Sequence, residues 1–253
     1  MLRITFVGHA TMLIEMDGVR LLTDPVLRRK VMHLRRRPPG VSPDSTQNID
    51  AVLLSHMHFD HLDLPSLEML GPDTRLIVPP GMGPMLARRG YRQIEELESG
   101  SETGAGPLRI QATPALHDRA RFRYGPTADT LGFVIHGAHS IYFPGDTDLF
   151  PEMSDLAKQL DVALLPVWGW GPTLGKGHMD PYRAALALQM LKPAWAVPIH
   201  WGTLHPWGMQ WLNPQFLFDP PRAFARFAAD LAPDVAVHIL EPGQSLAYPA
   251  GAE

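Results

Sequence analysis

Apolar and polar residues alternate in short blocks along the chain, and the period of each block sets the element it can form. Arg3 to Val7 and Thr11 to Met16 read as strands, and Asp17-Gly18 supplies the positive-φ chemistry of a tight hairpin into Val19 to Leu22. Ala51 to Leu54 is a short apolar run. After it come a helix beginning near Asp63 with Pro65 in its first turn, a strand Arg75 to Val78 and a helix near Met85 to Arg89. Arg109 to Thr113 reads as a strand, and Leu131 to Ile135 pairs with Ser140 to Phe143. A helix around Glu152 to Gln159, a strand Val162 to Leu165, a helix Pro181 to Leu191, a strand Trp195 to Ile199, a helix Arg222 to Leu231 and a strand Val235 to Leu240 complete the series. Two similar halves, roughly 1–115 and 116–253, each open on a strand meander and continue in β-α units. They predict one α/β domain over 1–253, with two β sheets packed face to face and helices outside. The polar, Pro-rich stretch Arg35 to Asp50 reads as a long loop.

Composition narrows the class. With 253 residues, 45% of them hydrophobic and 19% charged, the chain buries enough surface to exclude intrinsic disorder. No stretch approaches the ~18 to 20 apolar residues of a membrane span, and the opening MLRITFVGHA lacks the pattern of a cleaved signal, so a soluble, cytoplasmic protein is expected. A formal net charge of −4 argues against nucleic acid as a partner and leaves room for a local anion site. The cysteine count is 0, which removes disulfides, thiolate ligands and a Cys nucleophile; any metal must be held by imidazole, carboxylate or water, and the 12 histidines become the donors to inspect.

They converge on Ser55-His56-Met57-His58-Phe59-Asp60-His61, directly after the apolar run Ala51 to Leu54. A His-x-His-x-Asp-His string is expected about 0.003 times by chance at this chain's own residue frequencies. On a turn leaving a strand, His56 and His58 can point one way and Asp60 and His61 the other, each pair serving its own cation, so two divalent ions are implied. Three further donors stand at equivalent strand-to-loop junctions. They are His117 after Arg109 to Thr113, Asp146 in Pro144-Gly145-Asp146-Thr147, and His200 after Trp195 to Ile199. Zinc is the default on donor type, with Mn²⁺ and Fe²⁺ open.

With these residues the chain resembles the metallo-β-lactamase superfamily, and within it the branch of N-acyl phosphatidylethanolamine phospholipase D and ascorbate-6-phosphate lactonase. The likeness rests on Gly8-His9-Ala10-Thr11, Leu22-Thr23-Asp24-Pro25, Ser55 to Asp63, Phe143 to Thr147, His178-Met179-Asp180-Pro181 and His200-Trp201-Gly202-Thr203. It implies a four-layer αβ/βα sandwich with the ions between the sheet edges. It also implies that His56, His58 and His117 hold one ion, that Asp60, His61 and His200 hold the other, and that Asp146 bridges them. A histidine at position 58, where the oxygen-reducing di-iron relatives carry glutamate, points toward hydrolysis. The expected reaction is attack of a metal-bridging hydroxide on a phosphodiester, phosphorylated lactone or related ester, with a small-molecule or lipid-like anionic substrate and Asp60 and His178 as catalytic residues. The alternatives are a nuclease or a β-lactam or lactone hydrolase of the same fold, or a non-catalytic metal-binding protein.

Around this set the readings divide. Asp24 either accepts the outward N–H of a ligating histidine or simply opens an Asp-Pro turn. His178 is a proton donor, a phosphate contact or a loop histidine. His9 reads as a buried, hydrogen-bonded histidine beneath the site. Trp168 and Trp170 are candidates for a substrate-binding wall, against the commoner use of tryptophan as core. The six basic residues from Arg28 to Arg37 either attract an anion or form a solvated loop.

Overall fold

Alternation decides which face of each early strand turns inward. The computed structural model describes residues 1–121, 125–156 and 160–249. In it β1 (Leu2–Gly8), β2 (Thr11–Met16) and β3 (Val19–Thr23) form the expected antiparallel meander. Ile4, Phe6, Met12, Ile14 and Leu21 enter the main core, while Val7, Leu13 and Leu22 face the opposite side of the sheet, as a period of two requires. The chain then forms a hairpin of β4 (Lys30–Val31) and β5 (Leu34–Arg36), so Arg35 and Arg36 belong to a strand where a loop was expected. It returns as β6 (Ala51–Leu53), α1 (Leu64–Leu70), β7 (Leu76–Val78), α2 (Gly83–Ala87) and β8 (Ile94–Glu96), whose strands add in parallel beside β3. Asp63 caps α1 by accepting the Ser66 N–H, and Pro65 occupies the first turn.

The second sheet starts with β9 (Glu102–Ala105), β10 (Leu108–Pro114), β11 (Leu131–His136) and β12 (Ser140–Phe143), all antiparallel neighbours. β13 (Val162–Pro166), α3 (Pro181–Leu191) and β14 (Trp195–Ile199) extend it with parallel strands. β15 (Leu204–Pro206) joins β5 and β4 in a separate three-stranded sheet, and α4 (Met209–Leu212) and α5 (Asp219–Leu231) follow. β16 (Ala236–Val237) closes the second sheet, and β17 (Ser245–Tyr248) crosses back to pair with β1. The inner faces of the two seven-stranded sheets share one core; α3 and α5 cover the second sheet through Leu188 and Phe224, and α1 and α2 cover the first through Leu67 and Leu86. This is the αβ/βα sandwich.

The sheets change over between Glu96 and Glu102, earlier than the boundary near residue 115, because β9 and β10 pair with β11. The expected final strand Val235 to Leu240 contracts to β16. Around Glu152 a 3-10 turn, Pro151–Asp155, replaces an α-helix, and residues 157–159 of that expectation lie outside the described residues. Among the described residues no helix is long and apolar enough to cross a membrane.

Strand direction is what builds the site. β1, β3 and β6 point the same way in the first sheet, as do β10, β12, β13 and β14 in the second, so seven C-terminal strand ends meet at one edge. Two main-chain hydrogen bonds join the sheets there, Leu131 N–H to Ser55 O (2.9 Å) and His200 N–H to His9 O (2.8 Å).

Candidate metal centre

Each candidate residue lies just past a strand that ends at this edge: His9 after β1, Asp24 after β3, His56 to His61 after β6, His117 after β10, Asp146 after β12, His178 beyond β13 and His200 after β14. His9, Asp24 and His200 hold φ values of 61°, 33° and 63°. Such left-handed conformations are strained for residues with a Cβ and persist only where the surroundings enforce them. Gly145, at φ 62°, brings the Asp146 loop against Ser55, where a Cβ would fall 2.3 Å from the Ser55 Cβ.

The structure brings all seven expected donors together. His58 Nδ1 lies 3.1 Å from His56 Nε2 and 2.9 Å from His117 Nε2. Beside this triad, His61 Nε2 and His200 Nε2 are 3.0 Å apart, and Asp60 Oδ2 lies 3.7 and 3.5 Å from them. Asp146 stands between the two groups: Oδ2 is 3.0 Å from His61 Nε2, 3.8 Å from His117 Nε2 and 4.0 Å from His56 Nε2, and Oδ1 is 3.4 Å from His200 Nε2.

The outward nitrogens settle how these rings are protonated. His61 Nδ1 donates to Asp24 Oδ2 (2.7 Å), His117 Nδ1 to Gly177 O (2.7 Å) and His200 Nδ1 to Trp168 O (2.8 Å). Asp24 also accepts from the Ser55 N–H (2.7 Å) and Ser55 Oγ–H (2.5 Å), which leaves Ser55 Oγ to accept from His56 Nδ1 (2.9 Å). With the outer nitrogens carrying hydrogens, the inner nitrogens of His61 and His200 face each other and those of His56 and His117 converge on His58 Nδ1, all at hydrogen-bonding distance. Lone pairs and carboxylates packed this closely repel unless a cation lies among them, and the buried Asp146 Oδ1 has no hydrogen-bond partner. Nitrogen and oxygen donors with no sulfur suit a zinc-like divalent ion.

Without an ion, electrostatics divide the rings. Burial holds His56 well below the usual histidine range and His117 at about 4. Burial and the neighbouring His200 take His9 to about 3. His61 is held well above its usual value against burial, because Asp146 and Asp60 draw positive charge to it, and the imidazoles in turn hold Asp60 and Asp146 well below the carboxylate range against burial.

His9 Nε2 donates to Asp60 Oδ2 (2.8 Å), so this histidine orients a donor of the set instead of merely underlying it. Asp24 reaches both groups, directly through His61 and through Ser55 to His56. His178 Nε2 is 3.2 Å from Asp146 Oδ2, and its side chain is 20% exposed toward a cavity. Trp170 lines that cavity. Trp168 does not: its indole N–H bonds Gly171 O and its ring lines a different hollow beside Pro181 and Phe216, while its carbonyl holds His200.

The arginines from Arg28 to Arg37 are mostly committed elsewhere. Arg28 grips Asp63 (2.8 and 2.6 Å), buried Arg36 donates to the Val7 and Val26 carbonyls, and Arg37 donates to Gly202 O and Glu241. None of these lines the cavity. One positioning residue escaped the sequence reading. Buried Arg121 donates to Met57 O (2.6 Å) and Leu62 O (3.1 Å), clamping both ends of the His58 to His61 turn, and lies over the Phe59 ring at 4.3 Å. A lone arginine sixty residues downstream carries no local signal of that role.

The family profile of the beta-lactamase superfamily domain matches residues 19–201. A metal-dependent hydrolase of the UPF0173 family from Methanopyrus kandleri is 32% identical over 251 residues, covering 96% of this chain and 99% of that protein. A protein of Mycobacterium tuberculosis is 33% identical over 228 residues; the match takes in 82% of this chain, which spans only 61% of that longer protein. In structure, the chain is similar to Igni18, a metallo hydrolase from Ignicoccus hospitalis, with a TM-score of 0.71 at 26% identity over 97% of both chains.

Proposed function

This chain belongs to the metallo-β-lactamase superfamily, in the UPF0173 family of metal-dependent hydrolases, and from that membership we propose that it hydrolyses an ester, lactone or phosphodiester at a centre of two divalent ions. The triad His56, His58 and His117 would hold one ion, Asp60, His61 and His200 the other, and Asp146 both. The observation that carries the reading is the set of lone pairs turned inward by the outer hydrogen bonds to Ser55, Asp24, Gly177 and Trp168. When bound, such ions supply Lewis-acid polarisation of the scissile group and lower the pKa of water at the centre.

The chain's own residues do the rest. Asp24 and the two carbonyls fix the tautomers so that each ring offers its inner nitrogen. Asp60, oriented by His9, adds negative charge that balances the ions. His178, beside Asp146 and facing the cavity, holds a proton at Nε2, its value raised to about 9 by Asp146 against burial, and is placed to deliver it to a leaving oxygen. The likeness to the phospholipase D and lactonase branch supports lactones and phosphodiesters as the first substrates to try. Zinc fits the donors, and Mn²⁺ and Fe²⁺ are served by the same set.

The test is elemental analysis of protein purified without added metal, followed by turnover of bis(p-nitrophenyl) phosphate and simple lactones before and after chelation and re-addition of metal. Two ions per chain and activity that follows them are expected. One ion or fewer after reconstitution would overturn the two-ion centre, and activity indifferent to chelation would overturn metal dependence.

A further inference from the structure

Beside the centre lies a cavity of about 390 Å³, in the size range of small-molecule sites. Its floor is His58, Asp60 and His178, so whatever enters touches the hydrolytic residues. Its walls have no part in holding ions: Val31, Met32, His33 and Leu34 from the β4 and β5 hairpin, with Phe59 and Trp170. These walls are built into the protein. Val31 and Leu34 are buried with Val26 and Leu204 in a hydrophobic cluster of their own, against which Phe59 and Trp170 pack. His33 meets the Trp170 ring edge-on at 5.1 Å, and Arg121 backs Phe59 while its guanidinium is engaged by main-chain carbonyls.

Among the described residues no lysine or arginine lines the cavity. The three-stranded sheet of β15, β5 and β4 therefore contributes a mostly apolar wall and keeps its arginines off it. A phosphorylated group placed there would lose its hydration and face Asp60, with the imidazoles of His33 and His178 rather than an ammonium or guanidinium as partners among the described residues. An alkyl or aryl group would gain from leaving water, at about fourfold in affinity for each buried methylene.

We propose that this cavity is the subsite for an apolar substituent, and that the substrate is a neutral ester or lactone with an aliphatic or aromatic group seated between Phe59 and Trp170. The inference rests on the hydrolase reading above and commits it to neutral acyl compounds over phosphorylated ones. In the reaction the oxygen of water bonds to the acyl carbon as the acyl C–O bond breaks. One water proton passes to the leaving alkoxide, and the carboxylic acid formed releases the other.

Two measurements test it. The first is kcat/KM of the metal-loaded protein on γ-lactones whose alkyl substituent grows from methyl to hexyl, beside 6-phosphogluconolactone. A rise of about threefold to fourfold per methylene until the cavity fills is expected, with the phosphorylated lactone at least about tenfold below the hexyl compound. The second needs no turnover: calorimetric binding of 2-pentylcyclopentanone, a neutral lactone isostere that cannot be hydrolysed, to metal-stripped protein. Trp170→Ala should weaken binding at least about tenfold and Trp170→Phe should restore most of it. A flat chain-length series, or ketone affinity indifferent to Trp170, overturns the subsite, and the series on the unaltered protein decides the matter even if the alanine variant fails to fold. A preference for the phosphorylated lactone overturns the substrate class. Trp170-dependent ketone binding without turnover of any ester, lactone or phosphodiester supports the subsite and overturns the hydrolase reading instead.

Discussion

The two sheet edges that meet at the centre equip it in different ways. The first sheet delivers His56, His58, Asp60 and His61 on one continuous turn and supports them with side chains: Asp24, Ser55 and His9. The second delivers His117, Asp146 and His200 from three separate strand ends and holds its two histidines with main-chain carbonyls, those of Gly177 and Trp168. A side-chain support can be deleted by one substitution, whereas a carbonyl support can be reached only by distorting the loop that carries it. One edge therefore depends on chemistry encoded locally, and the other on loop conformation.

The largest expected effect comes from the one residue shared by both groups. Asp146→Ala should reduce kcat/KM by more than the ~10–100-fold typical of outer supports and lower the metal content below that of the parent. Retained metal with activity above about a tenth of the parent would break the assignment of Asp146 to both groups. Next is His178→Ala, expected to keep the parent's metal content while kcat falls at least ~10²-fold. Loss of metal in that variant would place His178 among the ligands, and full activity would return it to an ordinary loop histidine.

A sharper contrast pits Asp24→Ala against Ser55→Ala and Gly177→Ala. Asp24 supports His61 directly and His56 through Ser55, so its loss should cost ~10–100-fold in metal affinity, and Ser55→Ala should cost less. Gly177 has φ 77° and a Cβ there would sit 3.0 Å from His117 Nδ1. The added methyl should weaken metal binding through His117 alone, by about tenfold or less. Chelator competition measures all three, and equal losses would erase the difference between the two edges.

The smallest effect is on metal-free stability. His9 and His117 titrate at about 3 and about 4 in the folded chain, below the usual 6.5, so the unfolded state binds more protons than the folded one as pH falls through that interval, and stability falls with it. His178 is raised to about 9, so its stabilisation is complete below 6.5 and lost as pH rises toward 9. The Tm of chelator-treated protein should therefore peak near pH 6.5. A Tm that climbs steadily on either side would show that the folded-state charges differ from these.

Legibility in the sequence follows the same division. The meander β1 to β3, the paired strands β11 and β12, and the helices α1 and α3, capped by Asp63 and Asp180, were readable, because period, turn residues and caps act over a few neighbours. The short strands β8, β9, β15 and β17 were not, since three or four residues become a strand only when a distant partner supplies the ladder. Of the candidate site, the turn from His56 to His61 stood out because four donors fall within six positions. His117, Asp146 and His200 were each a single residue after a strand, meaningful only as a set.

What the chain's local order determined was donor chemistry, strand and helix types and a layered α/β architecture, all properties of residues close in sequence. The tertiary structure alone decided which nitrogen of each ring faces inward, since that depends on Asp24, Gly177 and Trp168 arriving from elsewhere. It also decided that Trp168 serves through its carbonyl while Trp170 lines the cavity, that Arg121 clamps a turn sixty residues away, and that the arginines of Arg28 to Arg37 turn from the site. Hydrogen bonds and apolar contacts act over a few ångströms, and only the parallel run of seven strand ends brings these residues within that range.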